Sequence, residues 1–269
     1  MQNLLTIFEK FNNTNRGDEF YTNLSDIEKE LKNYDISNKI VYCPCDNPEF
    51  SKFWEYLKTN FSKLKLKKLI STYYDENAKA TIYDGSKLIN EDISDNGDFT
   101  KQDKYFKQAD IVITNPPFSN DYPEHLLNIC LKYNLKFLFI GPLGFYTKNK
   151  VFELYKDNKF NLGYNAINSF YNKSAKLDAP CVWYTNLDIK KPIFKFNKKY
   201  DENKYSKFDN TNILNCPKYE DIPDEYYDEI GTSVRFALKL NREQFEVIDK
   251  IRPKLNGINK FLKLVIKRK

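Results

Sequence analysis

Short apolar runs alternate along this chain with stretches in which apolar residues recur at helical spacing. The apolar runs predict strands at 39–43, 66–74, 80–83, 109–114 and 136–140, with two more within 160–187 that could pair as a hairpin. Helices are predicted to begin near Asp26, Pro48 and Pro123, with a short helix around 101–108 and a polar loop between 84 and 99. This alternation is typical of α/β folds, in which helices connect the strands of one sheet.

The three longer helices are predicted from distinct local signals. Residues Ser25 to Glu28 have the pattern of a capping box. The third helix carries the only histidine, His125, which we expect on the solvent side. The second helix is expected to pack on the sheet through a repeating apolar face, formed by Phe50, Phe53, Trp54, Leu57 and Phe61.

The composition agrees with a globular protein. Of the 269 residues 41% are hydrophobic, and 43 basic against 37 acidic residues give a net charge of +6. Beyond about residue 188 the chain becomes more charged and less periodic, so we predict a core over 1–187 and a C-terminal extension over 188–269, packed as one continuous domain. No apolar stretch is long enough to span a membrane and the N-terminus lacks a secretory pattern, so we expect a cytoplasmic protein with no membrane partner.

Neither the aromatic residues nor the cysteines identify a site by themselves. The many Lys, Tyr and Phe residues are explained by A/T-rich codons, although a surface that binds nucleic acid would show the same bias. Among the five cysteines only Cys43 and Cys45 are close, and their spacing is shorter than that of a zinc knuckle. We therefore expect no metal and reduced, mostly buried thiols. Catalysis by a Ser–His or Cys–His pair would have to use the surface residue His125.

The sequence ITNPPFS, at residues 113–119, carries the strongest chemical signal. It follows a buried strand, and α/β folds bind ligands at the edge where parallel strands end. Pro116 and Pro117 fix the backbone and remove two N–H donors, while Asn115 adds a side-chain carbonyl. Phe118 offers a flat apolar face beside these acceptors. The arrangement suits a planar group that bears an NH₂, above all adenine; the alternative is a stiff strand-to-helix turn without a ligand.

The motif predicts methyl transfer to an amino nitrogen. An NH₂ conjugated to a ring is a poor nucleophile because its lone pair is delocalised. Acceptors at Asn115 and at the Pro116 carbonyl would favour a pyramidal nitrogen and relieve positive charge as the bond forms. A sulfonium methyl donor reacts with such a nitrogen without a metal, a histidine base or a covalent intermediate, so that positioning supplies the rest of the catalysis.

Several segments resemble, in order, the EcoRI-type adenine-specific DNA methyltransferases. NPPF is the most specific of them; the others are 17–31, 41–50, 66–75, 96–99, 183–191 and three stretches between 229 and 269. The resemblance implies a Rossmann-like methyltransferase fold, and we expect a mixed seven-stranded sheet with helices on both faces. It also implies S-adenosylmethionine as the cofactor and a flipped-out adenine in duplex DNA as the substrate.

The resemblance assigns roles to individual residues. Asn115 and Pro116 would bind the target amino group within the motif that includes Pro117, and Phe118 would stack on the base. Asp75 would accept the ribose hydroxyls of the cofactor. The remaining implied cofactor contacts are Phe20, Tyr21 and Thr22 at the amino-acid end, Pro44, Cys45 and Asp46 in the first-strand loop, and Asp98 and Phe99 at the adenine. The first-strand loop has no glycine, unlike that of most methyltransferases, so its side chains are expected to hold more of the cofactor.

Lysines in the second half of the chain are expected to contact DNA phosphates. They are Lys148, Lys150, Lys173, Lys176, Lys190 and Lys191. We expect a monomer, with a cognate restriction endonuclease as a further partner. Two alternatives stay open: an N-methyltransferase that acts on RNA adenine or protein glutamine, and a DNA-binding relative whose catalytic site has decayed.

Overall fold

The computed structural model describes residues 22–119, 121–171 and 176–269, which form two compact units. One unit contains the described residues up to Phe145 together with Phe160–Asp188. The other contains Tyr146–Lys159 and Ile189–Lys269. The predicted functional division into a catalytic core, 1–187, and a DNA-recognition extension, 188–269, stays a prediction.

The described part of the first unit contains one large sheet and four α-helices. The helices are α1 (Leu24–Leu31), α2 (Lys52–Thr59), α3 (Asp103–Gln108) and α4 (Tyr122–Lys132). The strands are β1 (Ile40–Cys43), β2 (Lys68–Ser71), β3 (Lys79–Tyr83), β4 (Leu88–Asp92), β5 (Ile111–Thr114), β6 (Lys136–Pro142), β7 (Asn161–Tyr171) and β8 (Lys176–Thr185).

The sheet is mixed and has the strand order β4-β3-β2-β1-β5-β6-β8-β7. The central strands β2, β1, β5 and β6 are parallel neighbours. The outer strands are antiparallel to the neighbours with which they pair, as in the β3–β4 and β7–β8 hairpins. The chain order reverses at β1, which has β2 on one side and β5 on the other. The β1–β5 border is therefore the topological switch point of the sheet.

Helices cover both faces of the sheet, as predicted. Alternate residues of a strand face opposite sides. Val41 and Cys43 of β1 lie in an apolar cluster with side chains of α1 and α2. Tyr42, between them, faces the other side, where its ring contacts Tyr105 and Phe106 of α3.

The sheet has eight strands, so the predicted number of seven was wrong. The additional strand is β4, which lies in the predicted polar loop. Four of its five residues are exposed. A strand of this kind has no buried face, so its sequence lacks the alternation of apolar and polar residues that marks a half-buried strand. Its pairing with β3 and a tight turn hold it at the sheet edge. In that turn the Asp84 carboxylate accepts the N–H groups of Ser86 (2.9 Å) and Lys87 (2.7 Å), and such hydrogen bonds lower the pKa of Asp84 to about 2.

The first two helices begin at other residues than predicted. The first residue of α1 is Leu24, so the predicted capping box at 25–28 lies inside the helix. The first residue of α2 is Lys52, because the Ser51 side chain accepts the N–H groups at the start of that helix. Pro48 therefore lies in the preceding loop.

The predicted apolar face of α2 is confirmed at Phe53, Trp54 and Leu57, which are buried in the core. Phe50 lies before the helix and is 49% exposed, whereas Phe61 is buried but lies after the helix. The helix predicted at Pro123 is confirmed, and His125 is exposed on it as predicted.

The second unit contains one α-helix and six strands. They are α5 (Asn149–Lys156), β9 (Leu214–Asn215), β10 (Ile230–Ser233), β11 (Phe245–Ile251), β12 (Lys254–Leu255), β13 (Ile258–Asn259) and β14 (Lys263–Arg268). Four strands form a sheet in the order β11-β14-β10-β9, and β12 pairs with β13 alone. The Tyr146 hydroxyl donates to the Val234 carbonyl (2.6 Å), which ties the segment before α5 to the C-terminal part of this unit.

No helix in the described part of the chain is long and apolar enough to cross a bilayer.

Candidate active site

The carboxyl ends of β1, β2 and β5 lie side by side, because these strands are parallel neighbours. The loops that follow them contain Asp46, Asp75 and Asn115, respectively. The three loops therefore meet at the edge of the sheet next to the switch point, where α/β folds form ligand sites.

The buried residue Asp46 joins these loops. Its Oδ1 accepts a hydrogen bond from Ser51 Oγ (2.6 Å), and its Oδ2 accepts one from Thr114 Oγ1 (2.6 Å). Its backbone N–H donates to the carbonyl of Thr72 (3.0 Å), and its carbonyl accepts from the Ser71 hydroxyl. One residue thereby connects the ends of three strands with the N-terminus of α2.

Sequence reasoning missed this connection. Asp46 was predicted to contact the cofactor, whereas both of its carboxylate oxygens face protein hydroxyls; the cofactor contact stays a prediction. Ser51 and Thr114 were not identified as site residues. Ser71 and Thr114 end β2 and β5, but nothing in the sequence indicates that their hydroxyls, or that of Ser51, meet Asp46.

The side-chain carbonyl of Asn115 is an acceptor without a donor. Its Oδ1 is buried and has no hydrogen-bond partner among the described residues. Buried polar atoms are almost always paired in proteins, so this acceptor, which lies at the sheet edge where α/β folds bind ligands, is a candidate for pairing with a ligand donor. Thr114, directly before it, is fixed by Asp46, and this bond restrains the backbone from which Asn115 projects.

The rest of the NPPF motif is partly buried. Pro116 is buried and Pro117 is exposed. Phe118 is half-buried, and its ring and that of Phe170 of β7 pack edge to face at a centroid distance of 5.9 Å. One side of the Phe118 ring is thus supported by the core while part of it is accessible.

Thr22 supplies a second unpaired polar atom. It lies just before α1, is 3% exposed, and its Oγ1 has no hydrogen-bond partner in the described ranges. Phe20 and Tyr21, which were predicted to act with Thr22, lie outside the described residues.

The loops that contain Asp75 and Asp98 lie next to each other and are joined by a backbone hydrogen bond. The backbone N–H of Asp75 donates to the Asn96 carbonyl (3.0 Å). Gly97 allows this approach, because it has a positive φ of 74° and a Cβ atom there would overlap the Tyr73 carbonyl. Both predicted carboxylates therefore lie at the same edge of the sheet.

Each of these two carboxylates uses one oxygen locally. Oδ1 of Asp75 accepts the N–H of Asn77 (2.9 Å), and Oδ1 of Asp98 accepts the N–H (3.0 Å) and hydroxyl (2.8 Å) of Thr100. Phe99, predicted to stack on a cofactor adenine, is buried and packs against Tyr122 at 5.5 Å. Only a small part of its ring is available to a ligand.

The loop after β1 is held by Thr72, the residue that follows β2. Thr72 Oγ1 donates to the Pro44 carbonyl (3.2 Å), and burial raises the pKa of Cys43 well above its usual value. Cys45 is half-buried in the same loop. The predicted contacts of Pro44 and Cys45 with the cofactor stay predictions.

Residues 8–92, 79–178 and 172–268 match the protein family described as "Adenine-specific methyltransferase EcoRI". These matches extend over most of the chain, including the NPPF motif and the loops at the sheet edge. The chain belongs to this methyltransferase family.

Individual relatives agree with the family. This EcoRI-type methyltransferase is 36% identical to Type II methyltransferase M.EcoRI of Escherichia coli, over 94% of each chain. It is 31% identical to Type II methyltransferase M.MgeORF184P of Mycoplasma genitalium, over 87% of this chain and 83% of the relative. It is 29% identical to Type II methyltransferase M.MpnI of Mycoplasma pneumoniae, over 87% of this chain and 82% of the relative. No solved structure matches the chain.

Membership of the EcoRI family confirms two predictions: the family itself, and an enzyme that methylates adenine. It also implies a methyl donor, as every methyltransferase needs one. The roles predicted for single residues of this methyltransferase stay predictions.

The predicted DNA-contacting lysines of the EcoRI-type enzyme lie in both units, and their contacts with DNA also stay predictions. In the second unit, Lys148 and Lys150 are exposed at the start of α5. In the first unit, Lys176 is exposed and forms an ion pair with Asp178 (2.8 Å). The others are Lys190, which is exposed, Lys191, which is half-buried, and Lys173, which lies outside the described residues.

The His, Cys, Asp and Glu side chains of residues 22–119, 121–171 and 176–269 do not form a group of three or more that could hold a metal ion.

Proposed function

We propose that this methyltransferase transfers a methyl group from S-adenosylmethionine to N6 of an adenine flipped out of a specific sequence in duplex DNA. The adenine specificity of its family supports the target base, and the type II methyltransferases among its relatives support a DNA substrate. The Rossmann-like methyltransferase fold that we assign to the first unit is supported by its parallel central strands and its loops at the switch point.

The observation that carries the proposal is the buried, unpaired Oδ1 of Asn115. Leaving such an acceptor unpaired costs about 1–3 kcal/mol, which a ligand donor offsets. The N6 amino group of adenine has two N–H donors. We assign one to Asn115 Oδ1 and the other to the carbonyl of Pro116.

These acceptors also favour the reaction. Two hydrogen bonds from the amino group localise the nitrogen lone pair and stabilise the positive charge that develops on the nitrogen as the new bond forms and the bond from the methyl group to sulfur breaks. The sulfur would leave as a neutral thioether, and the methylated nitrogen would then lose one proton to water. The half-exposed ring of Phe118, supported by Phe170, would hold the plane of the base. The bond from Thr114 to Asp46 keeps the Asn115 backbone in place during this step.

The residues at the sheet edge fit S-adenosylmethionine, which supplies a methyl group activated by its sulfonium. The unpaired Thr22 Oγ1 would pair with its amino-acid end. Among the described residues the hydrogen bonds of Asp75 and Asp98 engage Oδ1 of each carboxylate, so Oδ2 of Asp75 would accept from the ribose hydroxyls and Oδ2 of Asp98 from the adenine amino group. Carboxylates suit these donors because they only accept hydrogen bonds.

The Asn115→Ala variant tests the catalytic role. We expect transfer of labelled methyl groups to unmethylated genomic DNA to fall by roughly 100-fold or more, while calorimetric binding of S-adenosylmethionine is unchanged. The control is Asn128→Ala, which alters an exposed asparagine of α4. Wild-type transfer by Asn115→Ala would contradict the role.

Parallel reactions with duplex DNA, RNA and protein test the substrate. Transfer to duplex DNA, with modified adenines that map to one sequence, is the expected result. Transfer only to RNA adenine or to a protein glutamine would replace the DNA proposal, because a carboxamide NH₂ fits the same acceptors. Absence of transfer and of S-adenosylmethionine binding would indicate a decayed site.

The biological setting follows from the same proposal. We infer that the enzyme is a cytoplasmic monomer that protects sites from a cognate restriction endonuclease. The type II relatives support this setting. Sedimentation of the purified protein tests the monomer, and cleavage of methylated against unmethylated DNA by the candidate endonuclease tests the pairing.

A further inference from the structure

The positive charge of the chain is concentrated in one segment. Residues 250–269 contain eight Lys and Arg residues and no Asp or Glu. The rest of the chain has 35 basic and 37 acidic residues, so the whole excess of positive charge lies in this segment. A localised charge of this kind attracts an anionic partner far more effectively than a dispersed one.

Part of this segment forms a hairpin, which we call the basic hairpin (residues 251–263). β12 pairs with β13, and the turn between them is Asn256-Gly257, with φ values of 52° and 75°. Asn-Gly with both φ angles positive is the preferred two-residue turn of a tight hairpin. The backbone conformation of this turn is therefore the one that its sequence favours.

The basic hairpin is anchored to its own unit. The two carboxylate oxygens of Asp209 accept the backbone N–H groups of Asn256 (2.9 Å) and Gly257 (2.8 Å). The Asp209 backbone N–H donates to the Lys254 carbonyl (3.0 Å). Leu255 packs on the apolar cluster of this unit, so one side of the hairpin is fixed against the protein.

The other side of the basic hairpin presents apolar and cationic side chains to solvent. Phe261 is 88% exposed and Ile258 is 62% exposed. Arg252 and Lys254 are exposed, and Lys260 is half-buried. Within the described ranges none of these three cations belongs to an ion pair, whereas other lysines of the unit do, such as Lys198 with Asp221 (2.6 Å) and Lys204 with Asp201 (3.1 Å).

Two cations of the basic hairpin, Lys260 and Lys263, are close enough to interact. Burial, and then the charge of Lys260, lower the pKa of Lys263. The only carboxylate bonded to the hairpin turn, that of Asp209, is occupied by backbone N–H groups among the described residues. The surface is therefore a site of uncompensated positive charge.

We propose that the basic hairpin is a contact surface for duplex DNA, in which Arg252, Lys254 and Lys260 neutralise phosphates and Phe261 packs on the sugars and base edges beside them. Duplex DNA combines a dense row of negative charge with apolar groove walls, which matches both features of the surface. The inference rests on the proposed function, because it names a second place at which the same DNA is held.

A polar cleft in the same unit fits this partner less well. It has a volume of about 1150 Å³ and is lined by residues between Lys198 and Asp221. Two of its three lysines, Lys198 and Lys204, are paired with acidic neighbours that also line the cleft. Phosphates would have to displace those carboxylates, so we assign the DNA contact to the hairpin.

The test neutralises the three cations together, as Arg252→Gln/Lys254→Gln/Lys260→Gln. The matched control, Lys198→Gln/Lys204→Gln/Lys239→Gln, removes the same charge from the same unit. Binding of a fluorescein-labelled duplex of mixed sequence is measured by anisotropy over a range of salt concentrations. Each phosphate contact contributes about −0.9 to the slope of log K against log salt concentration. The slope of the hairpin variant should therefore be about 2.7 less negative than that of the wild type, while the control keeps the wild-type slope.

Phe261→Ser tests the apolar contact separately. Binding should weaken roughly tenfold or more at every salt concentration with no change of slope, because no charge is removed. The control is Ile193→Ser, which alters another exposed apolar residue of this unit (69% exposed) and should bind as the wild type does.

The outcomes separate this proposal from the proposed function. If the wild type neither binds duplex DNA nor methylates it, the proposed function fails. If the wild type does both, but the hairpin variant keeps its slope or the control loses as much, only the hairpin proposal is overturned. Unchanged DNA binding with loss of binding to phosphatidylglycerol vesicles would assign the hairpin to a membrane surface and would also overturn it.

Discussion

At the scale of single residues, the geometry of the candidate site depends on the Asp46 carboxylate, which fixes neighbouring residues by hydrogen bonds. Asp46 accepts from Ser51 and Thr114, and Thr114 directly precedes Asn115 in the chain. Charge-assisted hydrogen bonds of this kind are short and strong. A small shift of the Asn115 backbone would move its acceptor away from the reacting nitrogen, and misplacement of about 1 Å can cost roughly 100-fold in rate.

The Thr114→Val variant removes the hydroxyl and keeps the shape of the side chain. We expect kcat to fall by roughly 10- to 100-fold, with little change in KM for S-adenosylmethionine, because positioning and not binding is lost. Thr114→Ser retains the hydroxyl and should restore most of the rate. Steady-state methyl transfer to duplex DNA measures both variants.

A buried threonine elsewhere in the sheet provides the control. Thr185 is fully buried in β8 and donates to the Phe137 carbonyl (2.7 Å). Thr185→Val should lower stability by about 1 kcal/mol while kcat is unchanged. An equal loss of kcat in Thr114→Val and Thr185→Val would show that general loosening, and not positioning, explains the effect.

Sequence reasoning identified the residues whose type is itself informative. Asn115 was identified because NPPF follows a buried strand and places acceptors beside an aromatic ring; its Oδ1 is buried and unpaired among the described residues, and its role stays a prediction. The connection through Asp46 could not be predicted, since Asp46 and Thr114 are 68 positions apart. No local pattern records which hydroxyl a carboxylate will meet after folding.

At the scale of elements, the buried strands were predictable and the exposed one was not. β1, β5 and β6 are continuous apolar runs, whereas β4 is held by its turn and by pairing with β3. The start of α2 was misplaced because Ser51, and not a residue near Pro48, caps that helix. Capping depends on one side chain, so the apolar periodicity of the sequence does not reveal where a helix begins.

Helix α1 and strand β7 are joined by a buried carboxylate. Glu30 is fully buried and accepts hydrogen bonds from the Tyr34 hydroxyl (2.7 Å), the Tyr164 N–H (2.8 Å) and the backbone N–H (2.9 Å) and side chain (2.7 Å) of Asn165. These bonds lie at an irregularity in the pairing of β7 with β8. At Gly163 a Cβ atom would overlap the Glu30 carboxylate.

Glu30→Gln should destabilise the first unit by about 1–3 kcal/mol, because the new NH₂ group faces donors and leaves them unpaired. Glu28→Gln, on the exposed side of the same helix, is the control and should change stability little. Urea unfolding followed by tryptophan fluorescence measures both, since Trp54 and Trp183 belong to this unit. Equal stability of the two variants would contradict the role of Glu30.

At the scale of the whole molecule, the reactivity of the five cysteine thiols tests both the burial of the core and the position of the candidate site. All five are free thiols, and Cys45 alone among them is not buried. Burial raises the pKa of Cys43, Cys130 and Cys181, and raises that of Cys216 to about 12. The thiolate is the reactive form, so at pH 8 the buried thiols are both inaccessible and protonated.

We therefore expect a disulfide-exchange reagent at pH 8 to label one thiol of the native protein rapidly and all five after denaturation. Mass spectrometry should place the rapid label on Cys45. Because Cys45 lies in the loop after β1, S-adenosylmethionine should slow this reaction if the loop borders the cofactor, whereas methionine at the same concentration should not. A Cys45→Ser variant removes the rapid phase and identifies its source. Rapid labelling that the cofactor leaves unchanged would place the cofactor away from this loop, while rapid labelling of several thiols would contradict the packing of the core.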